Sequence, residues 1–129
     1  MWTPEETEIC REIAKRWRKE IVRGDWYHGT RDGQATMHDG LLAFKDVFGK
    51  RWEHDITPLL SIEDCLAELE RRGFDPITLF IDHEEGQSTG VPYGVEVYRG
   101  SKTIVMTEAD TPRLACLKAL LSVLEGDDG

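Results

Sequence analysis

The sequence predicts an α+β fold, in which helices pack on a three-stranded antiparallel sheet (a β-meander) in the order α-β-β-β-α, with an additional N-terminal helix. Three segments carry helical spacing of apolar residues with capping signals, residues 93–98 alternate as a strand, and a tight turn follows them. The 129 residues are enough for one modest core. We predict a single domain over residues 1–129, made of the N-terminal helix (1–24), an irregular aromatic segment (25–55) and the core (56–125).

The first element is predicted to be a helix from Pro4 to about Arg23. Thr3 is suited to cap it, Pro4 takes its first position and Glu6 completes a capping box, while Gly24 is a natural stop. An apolar stripe runs along one face. The opposite face is basic and carries Arg11, Lys15, Arg18 and Lys19.

The segment 25–55 is rich in aromatic and histidine side chains. An Asp32-Gly33 turn signal predicts a short hairpin between Asp25-Trp26-Tyr27-His28 and Gln34-Ala35-Thr36. Residues 40–48 are compatible with a two-turn helix. Loops with such side chains often carry function, and they equally serve as a cluster covering a sheet.

The core has clear boundary signals. Ser61 with Asp64 three positions later caps a helix that ends at Gly73. Strands are predicted over 77–81, 93–98 and 103–106, and the last two must be antiparallel neighbours because the turn at 99–101 is so tight. Asp110 or Thr111 caps the final helix, residues 112–125, with Gly126 as its stop.

Charge and cysteine content indicate the class of partner and the cellular compartment to expect. The net charge is −9, and residues 56–129 hold fourteen acidic against six basic side chains. This field repels phosphate backbones and favours basic partners. Three cysteines without a paired motif predict buried free thiols in a reducing compartment. No signal peptide or membrane-length apolar run is present, so we expect a cytoplasmic protein, in the host cytoplasm if it is phage-encoded.

Residues 55–125 carry a recognisable pattern: Asp55-Ile56-Thr57-Pro58, a helix ending Leu69-Glu70-Arg71-Arg72-Gly73-Phe74, three strands, and Thr107-Glu108-Ala109-Asp110-Thr111-Pro112 before an Ala/Leu-rich helix. This pattern resembles the phage ABA-sandwich family of small phage and prophage proteins, mostly of unassigned activity. The resemblance implies a mobile-element origin and no mechanism.

The same order of elements also resembles a double-stranded-RNA-binding domain. Such domains use a lysine cluster at the start of the last helix and the loop between the first two strands. Here that helix has only Arg113 and Lys118 as bases, and the loop carries Glu84 and Glu85, which oppose phosphate. We therefore expect no RNA binding from this region.

No catalytic or metal signature is present. The histidines and nearby aspartates lack metal-ligand spacing, no serine sits in a nucleophile elbow, and the cysteines lie on apolar helix faces where thiols are inert. We expect neither an enzyme, nor a metal site, nor a cofactor. The side chains that could in principle serve as metal ligands are His28, His38, His54, His83, Asp39, Asp55 and Asp82.

Three binding hypotheses remain. The first is a phage accessory protein that binds and inhibits a host protein, including a defence protein, through acidic side chains: Asp82, Glu84, Glu85 and Glu96. The second is sequestration of a small nucleotide-like signal by aromatic rings and guanidinium groups: Trp26, Tyr27, Arg31, Arg51 and Trp52. The third is nucleic-acid binding through the basic face of the first helix. The sequence does not decide whether the chain forms a homo-oligomer.

Overall fold

The computed structural model describes residues 2–21, 24–29, 35–37, 56–75, 77–81 and 93–127. The described part combines three helices with two three-stranded antiparallel sheets, so the predicted α+β class is confirmed. Its contacts divide into two compact units, residues 1–60 and residues 61–129. The prediction of a single domain stays a prediction.

Unit 1 begins with helix α1, Pro4–Ala14. Thr3 Oγ1 accepts from the Glu6 N–H at 3.1 Å and the Glu6 carboxylate accepts from the Thr3 N–H at 2.8 Å, so the predicted capping box is confirmed. The predicted continuation to Arg23 is wrong, because the helix ends at the cap residue Lys15.

The early end of α1 has a tertiary cause. Beyond the helix, the Arg18 guanidinium donates to the carbonyl of Ile56 at 2.9 Å, and Ile21 is buried in a cluster with Ile56 and Tyr27. These contacts with distant residues outweigh the helix propensity of residues 15–21, most of which are good helix formers.

The sheet of unit 1, here called sheet A, contains β1 (Trp26–Gly29), β2 (Ala35–Met37) and β3 (Ile56–Leu59) in the order β2-β1-β3. The pairing of β1 with β2 confirms the predicted hairpin. Strand β3 was not predicted; it is buried along its whole length and α1 packs against it. Pro58 is tolerated there because β3 is an edge strand and needs fewer ladder donors.

Unit 2 contains helix α2 (Ile62–Arg71), strands β4 (Ile77–Ile81), β5 (Tyr93–Arg99) and β6 (Lys102–Ala109), and helix α3 (Pro112–Asp127). The strands form sheet B in the order β4-β5-β6, which confirms the predicted meander. The Ser61–Asp64 capping box is present, and Gly73 closes α2 at a positive φ of 90° that favours glycine. Thr111 rather than Asp110 caps α3, since its Oγ1 accepts from the Leu114 N–H at 3.1 Å.

Helix α3 is the centre of the core of unit 2. It packs against β5, β6 and α2. Leucines and small residues are buried along it, Leu121 is only half-buried, and the helix continues through Gly126, its predicted stop. The fully buried positions include small residues that let neighbouring elements approach closely, and the buried set of α3 is Leu114, Ala115, Cys116, Leu117, Ala119, Leu120, Val123 and Leu124.

Candidate functional site

The two faces of sheet B differ in what covers them. Thr107 of β6 donates through Oγ1 to the carbonyl of Ala115 on α3 at 2.7 Å, so this side chain faces the helices. Side chains alternate along a strand, which places its neighbours Met106 and Glu108 on the opposite face. Val95 and Val97 of β5 are fully buried, as expected for the face that α3 covers.

The side of sheet B that faces away from α3, here called the open face, combines apolar and acidic side chains. Met106 is 59% exposed and Ile104 is 40% exposed, which is unusual for such residues in a strand. Glu96 lies directly opposite Met106, and Glu108 lies opposite Gly94, which offers no side chain. The face therefore presents two carboxylates around an exposed apolar side chain.

A β-bulge widens the open face. The register changes from Val97 opposite Val105 to Tyr98 opposite Thr103, so that Ile104 is the extra residue of β6. Bulges of this kind bend an edge strand and redirect its side chains. As a result Thr103 and Ile104, successive in sequence, both lie exposed next to Tyr98.

The carboxylate of Glu96 is held by its neighbour on the same strand. The Tyr98 hydroxyl donates to it, and this hydrogen bond, together with partial desolvation and the negative charge of Glu96, raises the pKa of Tyr98. Tyr98 therefore stays a donor at neutral pH and fixes the orientation of the acidic group.

Of the predicted partner-binding residues, the structure places Glu96 on the open face. Asp82, Glu84 and Glu85 lie outside the described residues. Sequence reasoning missed Tyr98, Ile104, Met106 and Glu108. Alternation within β6 was a usable signal for Met106, but the bulge that groups Ile104 with Thr103 leaves no mark in the sequence.

Of the predicted ligand-binding residues, Trp26 and Tyr27 are described and lie on opposite faces of β1, because they are adjacent in the strand. Tyr27 packs on the Ile21–Ile56 cluster. Trp26 is 37% exposed, and its ring centroid lies 5.5 Å from that of Trp2 at an interplanar angle of 47°. Arg31, Arg51 and Trp52, and the helix predicted over 40–48, lie outside the described residues.

The face of sheet A that carries Trp26 also carries His28. Within the described part of the chain, Nδ1 of His28 is buried and has no hydrogen-bond partner. A buried polar atom in this state costs free energy unless a water or a ligand satisfies it. The exposed Met37, opposite Trp26 in the register, completes this small aromatic face.

The basic side chains predicted to share one helix face do not do so, because α1 ends before Arg18 and Lys19. Each of the four is also engaged by another group of the protein, and the Arg18 guanidinium donates to the carbonyl of Ile56. Arg11 pairs with Glu8, Lys15 with Glu12 at 2.8 Å, and Lys19 with Asp25 at 2.8 Å. A continuous basic surface for phosphate contacts is therefore not formed by these four residues.

The cysteines are buried and free, as predicted. Burial, with a smaller contribution from the charge of Glu63, raises the pKa of Cys116 to about 11, so its thiol is protonated at neutral pH. Among the residues that the structure describes, no three His, Cys, Asp or Glu side chains are grouped as metal ligands. No helix in that same part of the chain has the length and apolar character to cross a membrane.

Comparison with known proteins adds no relative. No protein-family model matches the chain, and the searches of curated proteins and of solved structures found no match. The resemblance to phage ABA-sandwich proteins over residues 55–125 therefore stays a prediction.

Proposed function

We propose that this chain is a non-enzymatic binding module, a phage or prophage accessory protein that binds a host protein and inhibits it. The observation that carries the proposal is the open face of sheet B, where Met106 and Ile104 remain exposed beside Glu96 and Glu108. Exposed apolar side chains rimmed by charge are typical of protein interaction sites.

The charge distribution supports a protein partner of opposite sign. Unit 2 holds fourteen acidic and six basic side chains. Residues 56–60 carry no charge, so the whole acidic excess of residues 56–129 lies in this unit. A field of this sign accelerates encounter with basic surfaces and repels nucleic acid. The phage or prophage origin in this proposal rests on the resemblance of residues 55–125 to the phage ABA-sandwich family.

The test is capture of a host protein by the tagged full-length chain in a bacterial host, followed by an activity assay of the captured protein. Reversing the acidic charges with Glu84→Lys, Glu85→Lys and Glu96→Lys should abolish capture. Trp26→Ala, a change on sheet A, should leave it intact. Equal capture by both variants, or no inhibition of the captured protein, overturns the proposal.

A second candidate is sequestration of a small nucleotide-like molecule on the aromatic face of sheet A. It is favoured by the buried Nδ1 of His28, for which the described residues supply no hydrogen-bond partner, and by the neighbouring Trp26, whose ring is tilted against that of Trp2 and is partly exposed. Aromatic rings stack on bases, and an unprotonated imidazole nitrogen accepts a hydrogen bond from a ligand N–H.

Native mass spectrometry of the gently purified protein distinguishes the two candidates. An adduct of a few hundred daltons that disappears in Trp26→Ala supports sequestration, and the adduct mass identifies the ligand. Spectra without any adduct, from protein expressed in the relevant host, argue against it. A thermal shift on adding the identified ligand gives an independent check.

A further inference from the structure

We infer that the open face of sheet B is the docking site for a cationic amphipathic helix of the partner protein. This inference rests on the proposed function and specifies the partner segment by its chemistry. Apolar side chains of the helix would cover Met106 and Ile104, and its Lys or Arg side chains would meet Glu96 and Glu108.

Charge and apolar character alternate over a short distance on this face. Met106 of β6 lies directly opposite Glu96 of β5, and Glu108 lies two positions further along β6 on the same side of the sheet. Neighbours of this kind in a sheet are typically about 4.5–8 Å apart, so both carboxylates lie close to the methionine. A single turn of helix can therefore contact both carboxylates and the methionine. Methionine is well suited to such contacts because its side chain adapts to different partners.

The dimensions suit a helix. Strands are spaced about 4.8 Å apart and a helix with its side chains is about 10–12 Å wide, so one helix covers the width of β5 and β6. The opposite face already binds α3 in this manner. The inferred helix would form a third layer.

The edge of β6 is less suited to binding by strand addition. The bulge at Ile104 interrupts the regular ladder, and the Lys118 ammonium donates to the carbonyl of Glu108 at 3.4 Å. Bulges and lysines are the devices that natural sheets use to prevent pairing at an exposed edge. The partner is therefore expected to lie across the face.

A second copy of this chain is a poorer occupant of the open face. Face-to-face packing of two copies would bring Glu96 and Glu108 of each copy against the same carboxylates of the other. Like charges placed together oppose association. A basic partner removes this repulsion and replaces it with attraction.

The probe is a fluorescently labelled synthetic helix of Leu and Lys with leucines at helical spacing, compared with a scrambled peptide of the same composition. Binding to the full-length protein is measured by anisotropy. The double variant Glu96→Gln/Glu108→Gln should weaken binding about five- to tenfold, since each removed ion pair contributes up to about 1 kcal/mol. Met106→Ser should weaken it about fivefold through lost apolar contact.

The matched control is Glu70→Gln/Glu125→Gln, which removes the same charge from exposed carboxylates on α2 and α3. We expect less than about a twofold change for it, because single surface charges contribute little. Equal weakening by both double variants, or equally tight binding of the scrambled peptide, overturns the inference.

The outcomes also separate this inference from the proposed function. If a host protein is captured through the acidic side chains but the open-face variants bind the helical probe normally, only the inference fails. If the probe binds the open face but no host protein is captured, only the proposed function fails. Thermal melts of each variant confirm that it is folded.

Discussion

Sheets A and B have the same strand number and the same antiparallel pairing, yet they present their side chains differently. In sheet A the edge strand β3 is buried throughout, while the central strand β1 is half-buried. In sheet B the central strand β5 contributes the fully buried valines, and the edge strand β6 is mostly exposed. Position in the strand order therefore does not determine how deeply a strand of these sheets is buried.

Because the strands are buried differently, each sheet exposes a different candidate binding surface. Sheet A offers a small aromatic face with an imidazole nitrogen that has no hydrogen-bond partner among the described residues, which suits a small ligand. Sheet B offers a longer surface of apolar and acidic side chains, which suits a protein. Substitutions on the two sheets can therefore distinguish the two proposed functions.

The largest expected effect is a loss of stability caused by a substitution in α3, the helix that packs on sheet B. Leu117→Ala should lower the free energy of unfolding by about 2–5 kcal/mol, because a fully buried leucine leaves a cavity. Far-UV circular dichroism during thermal unfolding measures it. An unchanged midpoint would contradict the central role of α3.

The same variant tests whether the two units unfold together. All four tryptophans lie in residues 1–60, so tryptophan fluorescence reports on unit 1 alone. If the fluorescence transition shifts with the circular dichroism transition, the single-domain prediction is supported. If only the circular dichroism transition shifts, the units unfold independently.

The next effect concerns a buried carboxylate in unit 2. Glu68 is 4% exposed and accepts from Arg71 at 2.5 and 2.6 Å and from Arg72 at 2.7 Å. Burial alone would raise its pKa, but the hydrogen bonds from both arginines lower the pKa of Glu68 below its ordinary value. We expect Glu68→Gln to destabilise the protein by about 1–3 kcal/mol at neutral pH.

The contribution of Glu68 to the free energy of unfolding should decrease as the pH falls. A carboxyl group with a lowered pKa in the folded state stabilises the fold above its unfolded pKa, about 4.3, and this contribution disappears as the pH falls through the folded value. The difference in unfolding free energy between wild type and Glu68→Gln should therefore shrink on acidification below about pH 4.3. Glu70→Gln, at an exposed position of the same helix, is the matched control for the loss of one carboxylate charge. A pH-independent difference for Glu68→Gln would contradict the ion-pair explanation.

A smaller effect is expected on sheet A. The Trp2–Trp26 pair should show a coupling energy of about 0.5–1.5 kcal/mol in a double-mutant cycle with Ala at each position, because tilted aromatic rings attract beyond the area they bury. Chemical denaturation of the four proteins measures it. A coupling near zero would mean that Trp26 is held by its strand alone.

The smallest effect is expected on the open face of sheet B. Met106→Ser should change the free energy of unfolding by less than about 0.5 kcal/mol, because the side chain is 59% exposed. Chemical denaturation of this variant beside Val97→Ala, a fully buried site on the strand it pairs with, gives the contrast. A large loss in Met106→Ser would show that this side chain serves stability, which would count against a docking role.

The sequence by itself determined the local features. The capping boxes at Thr3 and Ser61, the Gly73 stop, the hairpin of sheet A and the meander of sheet B depend on residues close in the chain, and all were predicted. Glu96 was selected for its charge, and the buried state of the cysteines was anticipated from their apolar neighbours.

Tertiary structure decided the rest. Helix α1 ends at Ala14 because Arg18 and Ile21 contact residues near Ile56, about three dozen positions away. Strand β3 forms because β1 supplies its partner, although it has only four residues and one of them, Pro58, is unfavourable in a strand. The bulge at Ile104 likewise depends on how β6 meets β5. Contacts between distant residues set these features, and such contacts have no signature in the composition or spacing of one segment.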